Sequence, residues 1–277
     1  MQCMINDLPI FYEEYGQGKP ILCLHGFTED HKSMTGCLEP VFKDMTGYRR
    51  IYLDMPGMGK TPGADWVKNA DIMLDVLKKF VKEVIGEEEF LLVGTSYGGY
   101  MALGMAHDAK MKIGGMFLFG PAVVADFDNR KLPEVEDDDL FVEDGMDEVL
   151  ESFGDTGFYS DSVIVMTAET WRRYQEEFLP SYKVYDRDFT KKFRENGYAL
   201  SCESELSKLQ FKKPVTVLAG RQDDSTGYED PWDMLKHLPK FTFVALDGTG
   251  HLLPIENPDI FNAMLKDWLR RVSICNV

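Results

Sequence analysis

The chain has 277 residues, 44% of them hydrophobic, which is ample for one domain with an insertion around a sizeable core. Its formal charge of −17 argues against nucleic acid or an anionic membrane as a partner, since both need a positive field at contact. No run approaches the roughly 18 apolar residues of a membrane span, the first residues read as strand and turn rather than a signal segment, and five cysteines at 3, 23, 37, 202 and 275 lack metal-site spacing and are expected to be reduced thiols of a cytoplasmic protein.

Two short strand candidates precede Ile21-Leu22-Cys23-Leu24, an apolar run of strand type in which Cys23 is expected to pack. The run empties into His25-Gly26-Phe27, where the useful group is backbone: the Phe27 amide, aimed at a developing oxyanion. From Asp65 to Gly86, Ile72, Val76, Phe80 and Val84 fall on one helical row and Met73, Leu77, Val81 and Ile85 on the next. That is a wide apolar face for packing on a sheet, and Gly86 suits its C-terminal cap.

Phe90-Leu91-Leu92-Val93 is the next strand, and Met101, Ala102, Met105 and Ala106 recur at helical spacing beyond it. Between them lies Gly94-Thr95-Ser96-Tyr97-Gly98, a glycine-flanked serine on a sharp strand-to-helix turn. A nucleophile there is held in a strained backbone conformation, and side chains two residues before and after it would collide with the neighbouring strand and helix. Gly94 and Gly98 avoid both collisions. A serine hydroxyl is a poor nucleophile at neutral pH, so Ser96 requires a histidine base, a carboxylate to orient that base, and oxyanion donors, with the Tyr97 amide beside that of Phe27.

Ile113 to Phe119 forms a further strand ending at Gly120-Pro121, and strand signals resume only at Pro214. A minimal unit needs only a helix there, so the roughly ninety intervening residues are an insertion. Leu132 to Trp171 contains no lysine or arginine, while ten carboxylates crowd Glu134 to Glu151; this stretch is expected to be solvated helix and loop rather than a guide for cationic substrates. The insertion's large apolar residues, including Phe141, Val149, Phe153, Phe158, Tyr159, Trp171, Tyr174 and Phe178, are expected to be mostly its own core, with a few facing Ser96.

Val215 to Gly220 reads as a buried strand emptying into Arg221-Gln222-Asp223-Asp224. Asp223, three residues past Gly220, is the candidate orienting acid and Asp224 the alternative; one of the pair is also expected to cap the helix that begins near Tyr228 to Pro231. His251 follows the strand-like Phe241 to Leu246 and the turn Asp247-Gly248-Thr249-Gly250, ahead of a helix opened by Asn257 and Pro258. A loop at the end of a late strand can return it to Ser96. His31, His107 and His237 fall in helical or polar surroundings and receive no catalytic part.

These residues, with the loop Asp54 to Thr61 and Glu256-Asn257-Pro258, span residues 20 to 270 in an order that resembles the α/β-hydrolase fold, in its capped esterase and proline iminopeptidase-like branch. The resemblance implies a mostly parallel eight-stranded sheet flanked by helices, nucleophilic serine chemistry, and neither organic cofactor nor metal. It also implies a mainly helical cap inserted after the sixth strand, so that residues 1–122 and 211–277 form the core and 123–210 the cap. In proteins of this kind the carboxylate at Asp54 braces its loop. Gly57 and Gly59 lack the remaining glycine and the lysine spacing of a phosphate loop, and Lys60 is expected at the surface.

The expected chemistry is two-step acyl transfer on Ser96, with His251 as base, Asp223 as its orienting acid and the Phe27 and Tyr97 amides as oxyanion hole. The expected substrate is a small or medium uncharged carboxylic ester in a mainly apolar pocket. One alternative is an aminopeptidase of the proline iminopeptidase kind, holding a free amine on the carboxylates after Glu134; another is a ligand-binding protein without catalysis on the same scaffold. Oligomeric state is left open.

Overall fold

The central apolar runs become strands buried on both faces, because helices cover each side of one eight-stranded sheet, while the run Phe241–Leu246 forms a half-buried edge strand. In this computed structural model, which describes residues 1–136 and 139–275, the strands are β1 (Gln2–Ile5), β2 (Leu8–Tyr15), β3 (Lys19–Leu24), β4 (Tyr48–Leu53), β5 (Phe90–Thr95), β6 (Ile113–Pro121), β7 (Val215–Gly220) and β8 (Phe241–Leu246). They lie side by side in the order β1-β2-β4-β3-β5-β6-β7-β8. Strand β2 is antiparallel to both neighbours and every other pairing is parallel.

Alternation along the strands divides the core. Leu22 and Leu24 pack with α2 (Ala70–Val84) and α3 (Ser96–His107), whereas Ile21 and Cys23 pack with α1 (His31–Phe42) and the C-terminal helix Pro258–Cys275. Helix α2 carries both apolar rows but begins at Ala70 rather than near Asp65, because the Asn69 side chain accepts the Ile72 amide and caps it there. Gly86, at φ 77°, closes its end with its amide on the Val81 carbonyl.

Between β6 and β7 the chain forms helices α4 (Met146–Phe153), α5 (Ala168–Glu177) and α6 (Arg187–Gly197), joined by shorter turns. After β7 come α7 (Glu229–Leu235) and, following β8, α8, the C-terminal helix. Tyr159, Trp171, Tyr174 and Phe178 form the core of the inserted segment, together with Leu252 and Ile255 from beyond β8. Phe141, Val149 and Phe153, expected in that core, are instead exposed, because their short elements present them to solvent. Asp137 and Asp138 of the acidic run lie outside the described residues. No helix among the described residues is long and apolar enough to cross a membrane.

The β5–α3 junction is a tight backbone crossing near the sheet's C-terminal edge. Ser96 has φ 48°, a left-handed value that costs a side-chain-bearing residue of order 1–3 kcal/mol. A Cβ on Gly94 would lie 2.7 Å from the Gly98 carbonyl oxygen, and one on Gly98 would lie 2.2 Å from the carbonyl oxygen of Leu24 at the end of β3. Gly98→Ala should therefore force β3 and α3 apart, lowering unfolding stability by about 2 kcal/mol or more. Urea denaturation checks this; stability equal to the parent's would show that the junction relaxes freely.

Candidate active site

Four loops leave the C-terminal ends of β3, β5, β7 and β8 and meet at one mouth, as open parallel sheets dispose their ligand crevices. The loop after β5 is the turn that carries Ser96, half-buried, its carbonyl fixed by the Ala122 amide at 3.0 Å. The loop after β8 delivers His251, whose Nδ1–H donates to Asp223 Oδ2 at 2.9 Å. Ser96, Phe27 and His251 line the same cavity of about 610 Å³.

Asp223 is fully buried and saturated. Its Oδ1 accepts the amides of Ser225 and Thr226, and its Oδ2 accepts the Thr226 hydroxyl at 2.7 Å as well as the imidazole. Burial pushes this carboxyl up, but the His251 charge and hydrogen bond, with those from Thr226, outweigh it and hold Asp223 below the ordinary aspartate value. Asp224 is exposed, and burial of part of its carboxyl beside Asp223 pushes it up. Neither aspartate caps α7: the N-cap is Tyr228, with no side-chain bond, because Asp223 spends its oxygens within its own turn.

The loop after β3 is pinned by its histidine. His25 is buried, donates from Nδ1 to the Gly26 carbonyl and accepts the Met55 amide on Nε2 at 2.9 Å, so both ring nitrogens hold backbone. Thr28 is held at φ 68°, and Glu29 Oε2 accepts the Gly26 amide and the Ser33 hydroxyl. Phe27, in this loop, lines the cavity with Ser96, and the Tyr97 amide, in the first turn of α3, has no intrahelical partner. Phe27 and Tyr97 also touch edge to face, ring centroids 5.3 Å apart.

Asp54 braces the loop after β4. Its Oδ1 accepts the amide and Nδ1 of His31, and its Oδ2 the amide of Lys60, whose side chain is exposed. Asp30, His31 and Asp54 bring three ligand-type atoms within 4.8 Å of one another. Those atoms are spent locally, since Asp30 caps α1 through the Lys32 amide and Asp54 holds the contacts just named.

Phe158, Ser162 and Arg194 of the inserted segment line the cavity with Ser96, and the segment also holds the histidine loop. The His251 amide donates to the Ser162 carbonyl at 2.9 Å. Glu256 accepts the amides of Ile164, Val165 and Gly250, tying insertion and loop together; burial pushes its carboxyl up to about 7 against those three donors. Sequence reasoning quoted Glu256 without a role, and its signal was only its position five residues past His251.

The cavity is also more charged than expected. Beside Phe27, Phe158 and Tyr198 its wall carries Glu29, Asp126, Arg130, Arg194 and Glu195. None of the acidic run from Glu134 to Glu151 is among the described residues lining it.

Residues 21–264 match the family model described as "Alpha/beta hydrolase family". The chain belongs to the α/β-hydrolase family. An alpha/beta superfamily hydrolase from Oenococcus oeni PSU-1 superimposes with a TM-score of 0.87 at 29% identity, covering 95% of this chain and 96% of that one. A 2-hydroxy-6-oxo-6-(2'-aminophenyl)hexa-2,4-dienoic acid hydrolase of Metapseudomonas resinovorans is 25% identical over 95% of this chain and 88% of its own length. A pimeloyl-[acyl-carrier protein] methyl ester esterase of Legionella pneumophila (strain Corby) is 24% identical over 94% of the chain and 99% of its own length. This α/β-hydrolase thus has hydrolases and esterases as relatives.

Two outcomes follow from the electrostatics and the clamp. Burial pushes the His251 imidazole down, but the Asp223 charge and hydrogen bond outweigh it and hold the ring above its ordinary value of about 6.5. On the expectation that the neutral ring acts as base, reaction of Ser96 with a fluorophosphonate should rise with pH and reach half its maximum above about 6.5. A half-rise at pH 6 or lower contradicts that assignment. Glu256→Ala should cost about 1–3 kcal/mol of unfolding stability and slow the labelling, with Glu256→Gln retaining most of both; an alanine variant as stable and as reactive as the parent would show that the clamp holds nothing.

Proposed function

We propose that this chain is a serine hydrolase that cleaves small or medium carboxylic esters through an acyl-enzyme on Ser96. The observation that carries the reading is the shared cavity: a strained serine at a helix N-terminus, and an imidazole whose far nitrogen is fixed by a buried, fully bonded carboxylate. The methyl ester esterase among the relatives supports ester chemistry. Residues 123–210 act in this reading as a cap, since the cavity is lined from both the sheet side and that segment.

Ser96 Oγ adds to the ester carbonyl carbon while its proton passes to His251 Nε2, and the Phe27 and Tyr97 amides receive the carbonyl oxygen as it becomes anionic. Asp223 keeps the Nδ1–H tautomer and stabilises the imidazolium without accepting its proton. Collapse breaks the bond to the alkoxy oxygen, which leaves with the His251 proton as an alcohol. Water then gives a proton to His251 as its oxygen adds to the acyl carbon, and Ser96 Oγ departs with that proton, releasing the acid. The chemistry needs no cofactor.

An aminopeptidase that held its substrate's amine on the run after Glu134 receives no support, because none of the run's described residues lines the cavity. Ser96→Ala should lower kcat/KM for short 4-nitrophenyl esters by at least about 10³-fold while leaving the unfolding transition in place. A folded Ser96→Ala variant with near-normal turnover would refute the mechanism.

A further inference from the structure

Six of the ten arginines of this acidic chain, Arg49, Arg50, Arg172, Arg173, Arg270 and Arg271, each pair with a carboxylate. Of the four that have no carboxylate ion-pair partner among the described residues, Arg187 and Arg221 lie off the cavity wall, whereas Arg130 and Arg194 line it beside Ser96.

They are held differently. Arg130 is half-buried, and its donors go to the carbonyls of Val124, Ala125 and Ser225 at 2.8, 3.3 and 2.7 Å. Those bonds tie the start of the insertion to the Asp223 turn, and they satisfy hydrogen bonds without cancelling charge. Arg194 lies on α6 with its guanidinium over the rings of Phe27 at 5.1 Å and Tyr198 at 5.7 Å. Stacking fixes the plane of the fork and leaves its N–H edges without an acceptor among the described residues. Burial pushes the Tyr198 phenol up to about 12, with both guanidiniums opposing, as expected for two cations at one wall.

The neighbouring carboxylates make no ion pair with either guanidinium among the described residues. Asp126 accepts from the Asp128 amide and the Asn129 side chain, and Glu29 is engaged by Gly26 and Ser33. Glu195 is exposed on α6 and makes no ion pair with Arg194. A planar, preoriented fork with open donors matches a carboxylate, which can accept two parallel N–H bonds.

We propose that the substrate carries a carboxylate away from the scissile carbonyl, seated on the Arg194 guanidinium with the charge of Arg130 behind it. This rests on the ester-hydrolase reading and narrows it to anionic esters, in place of the uncharged ones expected from the sequence.

Two matched probe pairs place the anion on either side of the ester: mono(4-nitrophenyl) adipate against the corresponding adipamic ester, and 4-acetoxybenzoate against 4-acetoxybenzamide. In the parent protein at least one anionic member should exceed its neutral amide partner in kcat/KM by about fivefold or more. Arg194→Gln should collapse that ratio towards one, Arg194→Lys should retain part of it, and added salt should reduce it. A ratio near one in both pairs of the parent, or an advantage that survives Arg194→Gln, overturns the proposal. Adipate binding separates this from failure of the hydrolase reading: thermal unfolding of Ser96→Ala with adipate or adipamide should show a Tm rise for adipate alone, lost when Arg194→Gln is added. If no ester turns over and Ser96 stays unlabelled, that binding difference still decides the anion site.

Discussion

The close approach of backbone at the β5–α3 junction is the constraint on which the rest of the site depends. Gly98 sits against the carbonyl end of β3, so the strand that launches Phe27 and the helix that begins at Ser96 cannot move independently. Two left-handed non-glycine residues, Ser96 at φ 48° and Thr28 at φ 68°, stand on either side of that contact. Their strain, of order 1–3 kcal/mol each, is held by surroundings that resist relaxation. Strand β5 is buried throughout and paired on both sides, and His25 and Glu29 lock the partner loop from within. On the proposed reading, one steric contact thus positions both the oxyanion donors and the hydroxyl, which is why both glycines are needed.

The imidazole is set by a second, longer-range construction. Backbone crowding recurs here: a Cβ on Gly220 would lie 2.2 Å from the Thr249 carbonyl oxygen, and one on Gly250 would lie 2.6 Å from that of Ser162. The His251 loop is therefore wedged between the end of β7 and the inserted segment, with Glu256 gathering amides from both sides. The inserted segment is consequently part of the frame that aims the His251 ring. A displacement of Ser162 would be felt at the His251 amide before it was felt by any ligand.

Much of this was legible in the sequence where local chemistry decides. Apolar runs flanked by glycine turns marked the parallel strands, and the steric demand on Gly94 and Gly98 could be stated from the pentapeptide alone. Asp223 and Asp224 could be narrowed but not separated, since the choice rests on which carboxyl the buried Thr226 turn encloses. The cavity wall was not legible. Its ionisable residues come from the β3 loop, the stretch after β6 and α6, and nothing in their spacing announces that they converge. The exposed Phe141 and Phe153 show the same limit, for aromatic character at helical spacing does not say which face a short element buries.

The charges around His251 connect recognition to chemistry. Asp223 and Glu29 both raise the imidazole, while the Arg130 guanidinium lowers it. An anion seated beside Arg130 and Arg194 would offset that opposing field without touching the ring, so the bound complex would have a more basic histidine than the free protein. A neutral ligand filling the same volume would displace water and leave the guanidinium's pull on the imidazole unscreened. On the proposed reading, discrimination between the two would arise partly in binding and partly in proton transfer, because Arg130, behind the guanidinium that seats the anion, also acts on the imidazole.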